Sequence, residues 1–156
     1  LFDVPLVVPF AWAMIAHPIL CAARRVAGNW VFLYGGFGLM AYDLFLDPQM
    51  VTAGRWTWEV TGSHVPFTPE VPLSNAFGWL LSGMALIAIL HLALPRDRRK
   101  VSASFITIDI FLIWTWFAGV VSNLFFFDRP GIAFIFGATF GAVLAPYIFS
   151  RWLGRP

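Results

Sequence analysis

The sequence predicts an all-α membrane protein, a polytopic bundle of about five transmembrane helices that forms one domain over residues 1–156. Hydrophobic residues make up 60% of the chain and charged residues only 12%, which is half the share of about 25% typical of soluble domains. Apolar stretches long enough to cross a membrane recur along the chain. Most basic residues follow the first, third and fifth stretches, as expected if the helices alternate in direction.

The apolar stretches are long enough, or nearly so, to cross a hydrocarbon core of about 30 Å. The first lacks the basic start of a signal peptide and runs directly into Arg24 and Arg25. Pro48 is expected to end the second helix, and short polar turns connect the first pair and the last pair of helices. The five stretches cover residues 4–23, 30–46, 77–94, 101–127 and 131–150.

The second and third stretches are separated by a long polar loop, residues 47–76. A connection of this length is well beyond the usual one and is often functional. Its prolines argue against a long helix, and Trp56 and Trp58 suit the headgroup layer of a membrane. We expect a partly ordered cap over the mouth of the bundle, with Ser74 or Asn75 capping the N-terminus of the third helix.

The basic residues predict the orientation of the bundle. If the five helices alternate in direction, eight of the ten basic residues fall on one side, and only Arg55 and Arg129 fall on the other. Basic loops are typically cytoplasmic, so the loop 47–76 is expected outside the cytoplasm and the last residue inside it. Nucleic acid is not an expected partner, because no other basic surface is present. The eight residues are Arg24, Arg25, Arg96, Arg98, Arg99, Lys100, Arg151 and Arg155.

Two carboxylates lie four residues apart near the end of the second helix, so Asp43 and Asp47 share one face. Asp47 alone is explained as a helix-end residue at the interface, followed by Pro48. Asp43 lies one turn deeper among apolar residues, where a carboxylate costs roughly 2.5–3.5 kcal/mol on insertion scales. It therefore needs a partner or a proton, and a buried carboxyl group that holds a proton can act as a general acid.

Other polar residues fall near both ends of the predicted bundle. Asn75, Asn123 and Asp128 are close to the same end as the two carboxylates and could converge on them, although Asn123 and Asp128 are more simply explained as helix-end groups that meet water.

A second polar cluster is expected towards the cytoplasmic end, where His17, His91 and Asp109 lie at similar depth. The favoured interpretation is a His–Asp hydrogen bond that holds helices together, and the alternative is a proton relay. Their spacing does not indicate a metal site, and no metal is expected.

Several motifs between the end of the second helix and the start of the third carry a family resemblance. They are AYDLFLDPQMV at residues 41–51, GRWTW at 54–58, VPLSN at 71–75 and GW at 78–79. In these motifs the sequence resembles the bacterial and archaeal carotenoid biosynthesis membrane-protein family, which includes carotenoid 1′,2′-hydratases such as the bisanhydrobacterioruberin hydratases. The family usually has Trp at the position of Tyr42 and is longer at the N-terminus, which implies further residues before Leu1.

The resemblance implies a hydratase that needs neither a redox cofactor nor a metal. Water would add across the terminal double bond of an acyclic carotenoid end group and give a tertiary alcohol. Asp43 would be the acid and Asp47 the base or the residue that positions water, although the reverse assignment is equally consistent. The expected substrate-binding residues are Tyr42, Trp56, Trp58, Asn75 and Trp79.

The resemblance also implies a place in the prokaryotic cytoplasmic membrane, with the carotenoid, water, membrane lipid and other carotenoid enzymes as partners. Two alternatives remain open from the sequence. One is a small proton-coupled transporter that uses Asp43, Asp109 and the histidines. The other is a carotenoid-binding subunit without catalytic activity.

Overall fold

A computed structural model describes residues 7–95 and 104–154 as five helices and one short β-hairpin. The predicted all-α class is confirmed, because helices account for most of the described chain. The elements in chain order are α1 (Val7–Val26), a 3₁₀ turn (Gly28–Trp30), α2 (Val31–Thr52), β1 (His64–Val65), β2 (Thr68–Pro72), α3 (Leu73–Ala93), α4 (Ile106–Phe125), α5 (Pro130–Ile148) and a π-helical turn (Phe149–Leu153).

Among the described residues, three helices are long and apolar enough to cross a membrane: α3, α4, and α5 with its π-helical extension. They confirm the predicted class of helical membrane protein. The helices α1 and α2 carry charged residues, and their crossing of the membrane stays a prediction. The start of the first stretch, the first residues of the fourth, and the basic residues Arg96, Arg98, Arg99, Lys100 and Arg155 lie outside the described residues.

The second helix continues past its predicted end at residue 46. Pro48 lies within α2, which ends at Thr52. A proline within a helix removes one backbone donor. Four residues further on, the Thr52 hydroxyl donates to the Pro48 carbonyl at 2.7 Å. The chain then leaves the helix at Gly54, whose φ of +66° suits glycine. As a result, Asp47 is a helical residue and the loop between helices is shorter than expected.

The shorter loop folds back as the β-hairpin. In the antiparallel pair His64 lies opposite Pro72 and Val65 opposite Thr68, with an irregularity between the two pairs. Val65 and Val71 pack with Leu44 of α2 and Ala76 of α3 in a small apolar cluster. The hairpin is thereby fixed over the end of α2 that carries the two carboxylates.

The helix α2 is central to the bundle and packs against α1, α3 and α5. The approach of α2 to α3 is close because glycines meet: a Cβ on Gly36 would lie 2.8 Å from the Met84 backbone nitrogen, and one on Gly83 would lie 3.2 Å from the Gly36 Cα. Small residues permit this approach of helix backbones in membrane proteins. The contact sets the distance between the polar residues that these two helices carry.

Candidate active site

The two acidic residues of α2 are buried side by side. Asp43 is 4% exposed and Asp47 1% exposed, and both line a narrow cleft between the helix ends and the hairpin. The rest of the cleft is mainly apolar, with Leu44, Val65 and Val71 among its walls, and it has no room for a water molecule. Buried charged groups are costly unless they are paired or hydrogen-bonded, so the partners of these carboxylates decide what they can do.

Asn75 joins the two carboxylates. Its Nδ2 donates to Asp47 Oδ2 at 2.5 Å and to Asp43 Oδ2 at 3.2 Å. The sequence predicted that Ser74 or Asn75 would cap α3, but the helix already begins at Leu73, and no side-chain cap bond is formed at its N-cap residue. The Asn75 amide instead donates to both carboxylates. Asn75 therefore meets Asp43 and Asp47, as the sequence suggested it could.

Two tryptophans of the loop bind the second carboxylate. Trp56 Nε1 and Trp58 Nε1 donate to Asp47 Oδ1 at 2.7 and 3.1 Å. Asp47 therefore accepts three hydrogen bonds, whereas Asp43 accepts one. Donors aimed at a carboxylate stabilise its negative charge, so the two acidic groups are chemically unequal.

A stacked indole pair lies beside Asp43. Trp79 of α3 stacks on Trp12 of α1 with ring centroids 4.0 Å apart and an angle of 14° between the planes. The buried Trp79 Nε1 lacks a hydrogen-bond partner of normal geometry, although Asp43 is close enough to interact with it. Sequence reasoning missed Trp12 as a site residue. Both tryptophans lie between one and two turns into helices that run in the same direction, but depth alone does not show that their rings meet.

Tyr42 is next to Asp43 in the helix but faces away from the acidic pair. Its ring packs against the main core and meets Phe45 edge-on, with centroids 6.3 Å apart. Consecutive helical residues point about 100° apart, which explains the difference from Asp43. No hydrogen bond among the described residues joins Tyr42 to either carboxylate, and its substrate-binding role stays a prediction.

Asn123 and Asp128 also lie apart from the acidic pair. Asn123 is fully buried and its Nδ2 donates to the Gly119 carbonyl at 2.8 Å, so the expectation that it meets water is wrong. Asp128 is exposed in the turn between α4 and α5. The same turn supports the hairpin, because Arg129 forms an ion pair with Glu70 at 2.5 Å.

The second predicted cluster is not formed as expected. Asp109 accepts hydrogen bonds from the Tyr147 hydroxyl at 2.5 Å and from Arg151 Nη2 at 2.7 Å, in place of a histidine. His91 Nδ1 accepts from Arg24 Nε at 3.2 Å, and His17 Nε2 lies 3.8 Å from Cys21 Sγ. Similar depth along helices does not fix which way each side chain points, and the prediction used depth alone.

A bundle of apolar helices with an acidic pair buried near one end defines this chain as a helical membrane protein with an internal polar site. The chain belongs to the carotenoid biosynthesis protein family, whose family model matches residues 1–144. The family resemblance seen in the sequence is therefore confirmed.

One curated relative is the bisanhydrobacterioruberin hydratase of Haloarcula japonica. The two are 30% identical over 147 residues, an alignment that covers 87% of this chain and 48% of that protein. This chain thus spans about half the length of the relative it matches. No solved structure matches the chain.

Proposed function

We propose that this protein hydrates the terminal double bond of an acyclic carotenoid end group to a tertiary alcohol. The observation that carries the proposal is the buried Asp43–Asp47 pair, which Asn75 bridges inside an apolar bundle. The family and the name of the Haloarcula relative support a carotenoid substrate. Hydration of an isolated alkene needs a proton donor and a proton acceptor close to one another, and the pair supplies two carboxyl groups within reach of one amide.

The unequal hydrogen bonding favours one assignment of roles. Asp47 accepts three donors, which stabilise a carboxylate, whereas Asp43 accepts one and is better suited to carry a proton. Asp43 then gives its proton to the terminal alkene, and a tertiary carbocation forms. Water adds to the cation through its oxygen and gives up one proton to Asp47. The pair as a whole keeps the same number of protons, and a proton passes from Asp47 back to Asp43 before the next turnover.

The Trp12–Trp79 stack is suited to the charge that develops. The face of an indole ring is electron-rich and attracts a nearby cation. Trp79 lies close to Asp43, so a cation formed by protonation from Asp43 would lie near this ring. Because the cleft is closed to water at rest, we infer that the hairpin or the indole pair moves when the end group enters.

The test is expression of the complete gene in cells that make lycopene or a longer acyclic carotenoid. Pigments are separated by chromatography and analysed by mass spectrometry for the gain of one water. Asp43→Asn and Asp47→Asn should each abolish the product while the protein stays in the membrane fraction. Asp128→Asn is the matched control, because Asp128 is exposed and outside the site, and it should retain the product.

Two outcomes would contradict the proposal. Full product formation by both variants would remove the acidic pair from the mechanism. Bound pigment without product in the unsubstituted protein would favour a carotenoid-binding subunit. The transporter alternative is not supported, because the hydrogen bonds of Asp109 within the described residues go to Tyr147 and Arg151, and not to the histidines or to Asp43.

A further inference from the structure

Thr68 is a buried polar residue to which the proposed mechanism gives no role. It is the first residue of β2 and is 1% exposed. It lines the same narrow cleft as Asp43, Asp47 and Asn75, and the remaining walls of that cleft are apolar. Valine has nearly the same shape, so packing alone does not explain a hydroxyl group here. Burial of a hydroxyl group costs free energy unless it is hydrogen-bonded.

The turn before Thr68 fixes its position. Phe67 has a φ of +64°, which is unfavourable for a bulky residue, and it is 62% exposed although the next residue is buried. Such backbone conformations persist where the surroundings hold them, and they cluster at active sites. A Cβ on Gly131 would lie 2.5 Å from the Phe67 ring, so the ring packs on the start of α5, and the Glu70–Arg129 ion pair ties β2 to the same turn. These contacts hold Thr68 in the wall of the cleft.

The hydrogen bonding of Thr68 makes its hydroxyl oxygen an acceptor. Thr68 Oγ1 donates its single proton to the Pro66 carbonyl, at a distance of 3.4 Å. A hydroxyl oxygen also has two lone pairs, and no donor within residues 7–95 and 104–154 bonds to them. Thr68 therefore adds an uncharged acceptor to the residues that line the cleft.

The water that attacks a carbocation needs two acceptors. A lone pair on its oxygen forms the new C–O bond, so both of its protons have to point away from the cation. In the proposed reaction one proton passes to Asp47, and the other stays on the oxygen of the tertiary alcohol. A neutral acceptor beside Asp47 would hold this second proton without removing it, and so would fix the orientation of the water.

We infer that the Thr68 hydroxyl binds the attacking water and accepts a hydrogen bond from the proton that remains on the product. The inference rests on the proposed hydration. Asp43 gives its proton to the alkene, the water oxygen forms the C–O bond, and Asp47 takes the released proton, while Thr68 gains and loses none. The closed cleft has no room for water, so the water enters together with the end group. Without the hydroxyl group the cation should still form, but water should capture it less efficiently.

The test follows the fate of the cation. Membranes from cells that express the complete gene are supplied with unlabelled lycopene in D₂O, and the pigments are analysed by mass spectrometry at early times. Asp43 then transfers a deuteron to the alkene. A cation that water does not capture can lose a proton from an adjacent carbon to the Asp43 carboxylate, which forms an alkene that keeps the deuterium. The ratio of deuterated alkene to alcohol therefore measures how well water captures the cation.

Thr68→Val keeps the shape of the side chain and removes the hydroxyl group. It should lower alcohol formation about fivefold to tenfold, the effect of one neutral hydrogen bond, and should raise the ratio of deuterated alkene to alcohol. Thr68→Ser and Thr68→Ala both lack the methyl group and differ only in the hydroxyl group. The serine variant should form more alcohol than the alanine variant, which tests the inference even if Thr68→Val fails to fold.

Thr139→Val is the matched control, because the Thr139 hydroxyl donates to the Ile135 carbonyl within α5 at 2.7 Å and lies outside the cleft. It should retain the product. A parallel fall of alcohol and deuterated alkene in Thr68→Val would indicate a structural role only and would overturn the inference, as would equal alcohol from the serine and alanine variants. If the unsubstituted protein forms neither alcohol nor deuterated alkene, the proposed hydration itself fails, and the inference fails with it.

Discussion

Asp43 and Asp47 are one helical turn apart, yet their surroundings differ. Asp47 accepts hydrogen bonds from Asn75 and from two loop indoles, whereas Asp43 shares the Asn75 amide and lies close to Trp79 Nε1. A carboxylate with several donors contributes to stability as well as to chemistry, because its removal leaves those donors unpaired. The two residues should therefore be separable by experiment even if both are needed for activity.

We expect Asp47→Ala to lower the stability of the folded protein and Asp43→Asn to leave it unchanged or raise it. Asp47→Ala removes the acceptor of both loop indoles and one of the two acceptors of Asn75, at a cost of about 1–3 kcal/mol. Asp43→Asn removes one of two acidic groups that share an amide and keeps the shape of the side chain. Thermal unfolding in detergent, followed by size-exclusion chromatography, measures both. Equal losses in the two variants would contradict the assigned difference.

We expect Trp12→Leu to reduce hydration more than Trp12→Phe does. Phenylalanine keeps an aromatic ring to stack on Trp79, whereas leucine removes the stacking, which is worth about 0.5–1.5 kcal/mol. The ratio of hydrated to unhydrated pigment measures the effect, normalised to protein in the membrane fraction. Trp114→Leu is the control, because Trp114 is 64% exposed on the outer face of α4. Equal product from the two Trp12 variants would exclude a role for the ring face.

The sequence could predict which residues meet only where a pattern fixes direction as well as depth. The spacing of Asp43 and Asp47 fixed both, because residues four apart share a face. His17, His91 and Asp109 lie on three different helices. Spacing along one helix does not show whether they face one another, since the rotation of each helix depends on packing. Arg151 was treated as an orientation signal, but its contact with Asp109 replaced the expected histidine.

At the scale of elements, the contact between α2 and α3 places the carboxylates against Asn75. This contact depends on the absence of side-chain atoms at Gly36, where a Cβ would also lie 3.0 Å from the Leu80 carbonyl oxygen. Backbone atoms cannot rotate away as a side chain can. A larger residue at this position must therefore move one helix relative to the other.

We expect Gly36→Ala to reduce both stability and hydration. The added Cβ would separate α2 from α3 and lengthen the Asn75–Asp47 contact, and overpacking typically costs about 1–3 kcal/mol. Gly78→Ala is the matched control, since a Cβ at Gly78 meets nothing within 4 Å and alanine favours a helix. Unfolding temperature and product ratio are compared for the two. A Gly36→Ala variant as active and stable as Gly78→Ala would show that the close approach is dispensable.

The helices were predictable because long apolar runs determine them, and a partly ordered cap was expected, but the extension of α2 past Pro48 and the β-hairpin were not. Pro48 was expected to end α2, yet the helix continues to Thr52, with Pro48 buried and Asp47 bonded to Trp56. The strands of the hairpin are too short to leave a pattern in the sequence. They depend on tertiary contacts, in which Val65 and Val71 pack on α2 and α3.

At the scale of the molecule, the structure brings together helix ends that carry basic residues. Arg24 at the end of α1 bonds to the last carbonyls of α3, and Arg25 donates to the Ser150 carbonyl after α5 at 2.7 Å. The helices α1, α3 and α5 therefore end at one face of the bundle, as the alternating pattern predicted. Asp43 and Asp47 lie towards the opposite face, so the orientation of the bundle determines which leaflet their chemistry would serve.

We expect that face to be extracytoplasmic, and single cysteines can test this prediction. In a Cys21→Ser background, Gly62→Cys lies on the loop that follows α2, at an exposed glycine where a Cβ meets nothing within 4 Å. It should react with a membrane-impermeant maleimide in intact cells. Lys100→Cys, in the basic segment outside the described residues, should react only after the membrane is made permeable. The reverse pattern would place the acidic pair near the cytoplasmic leaflet, and the tertiary alcohol would then be formed on the side of the membrane that faces the cytoplasm.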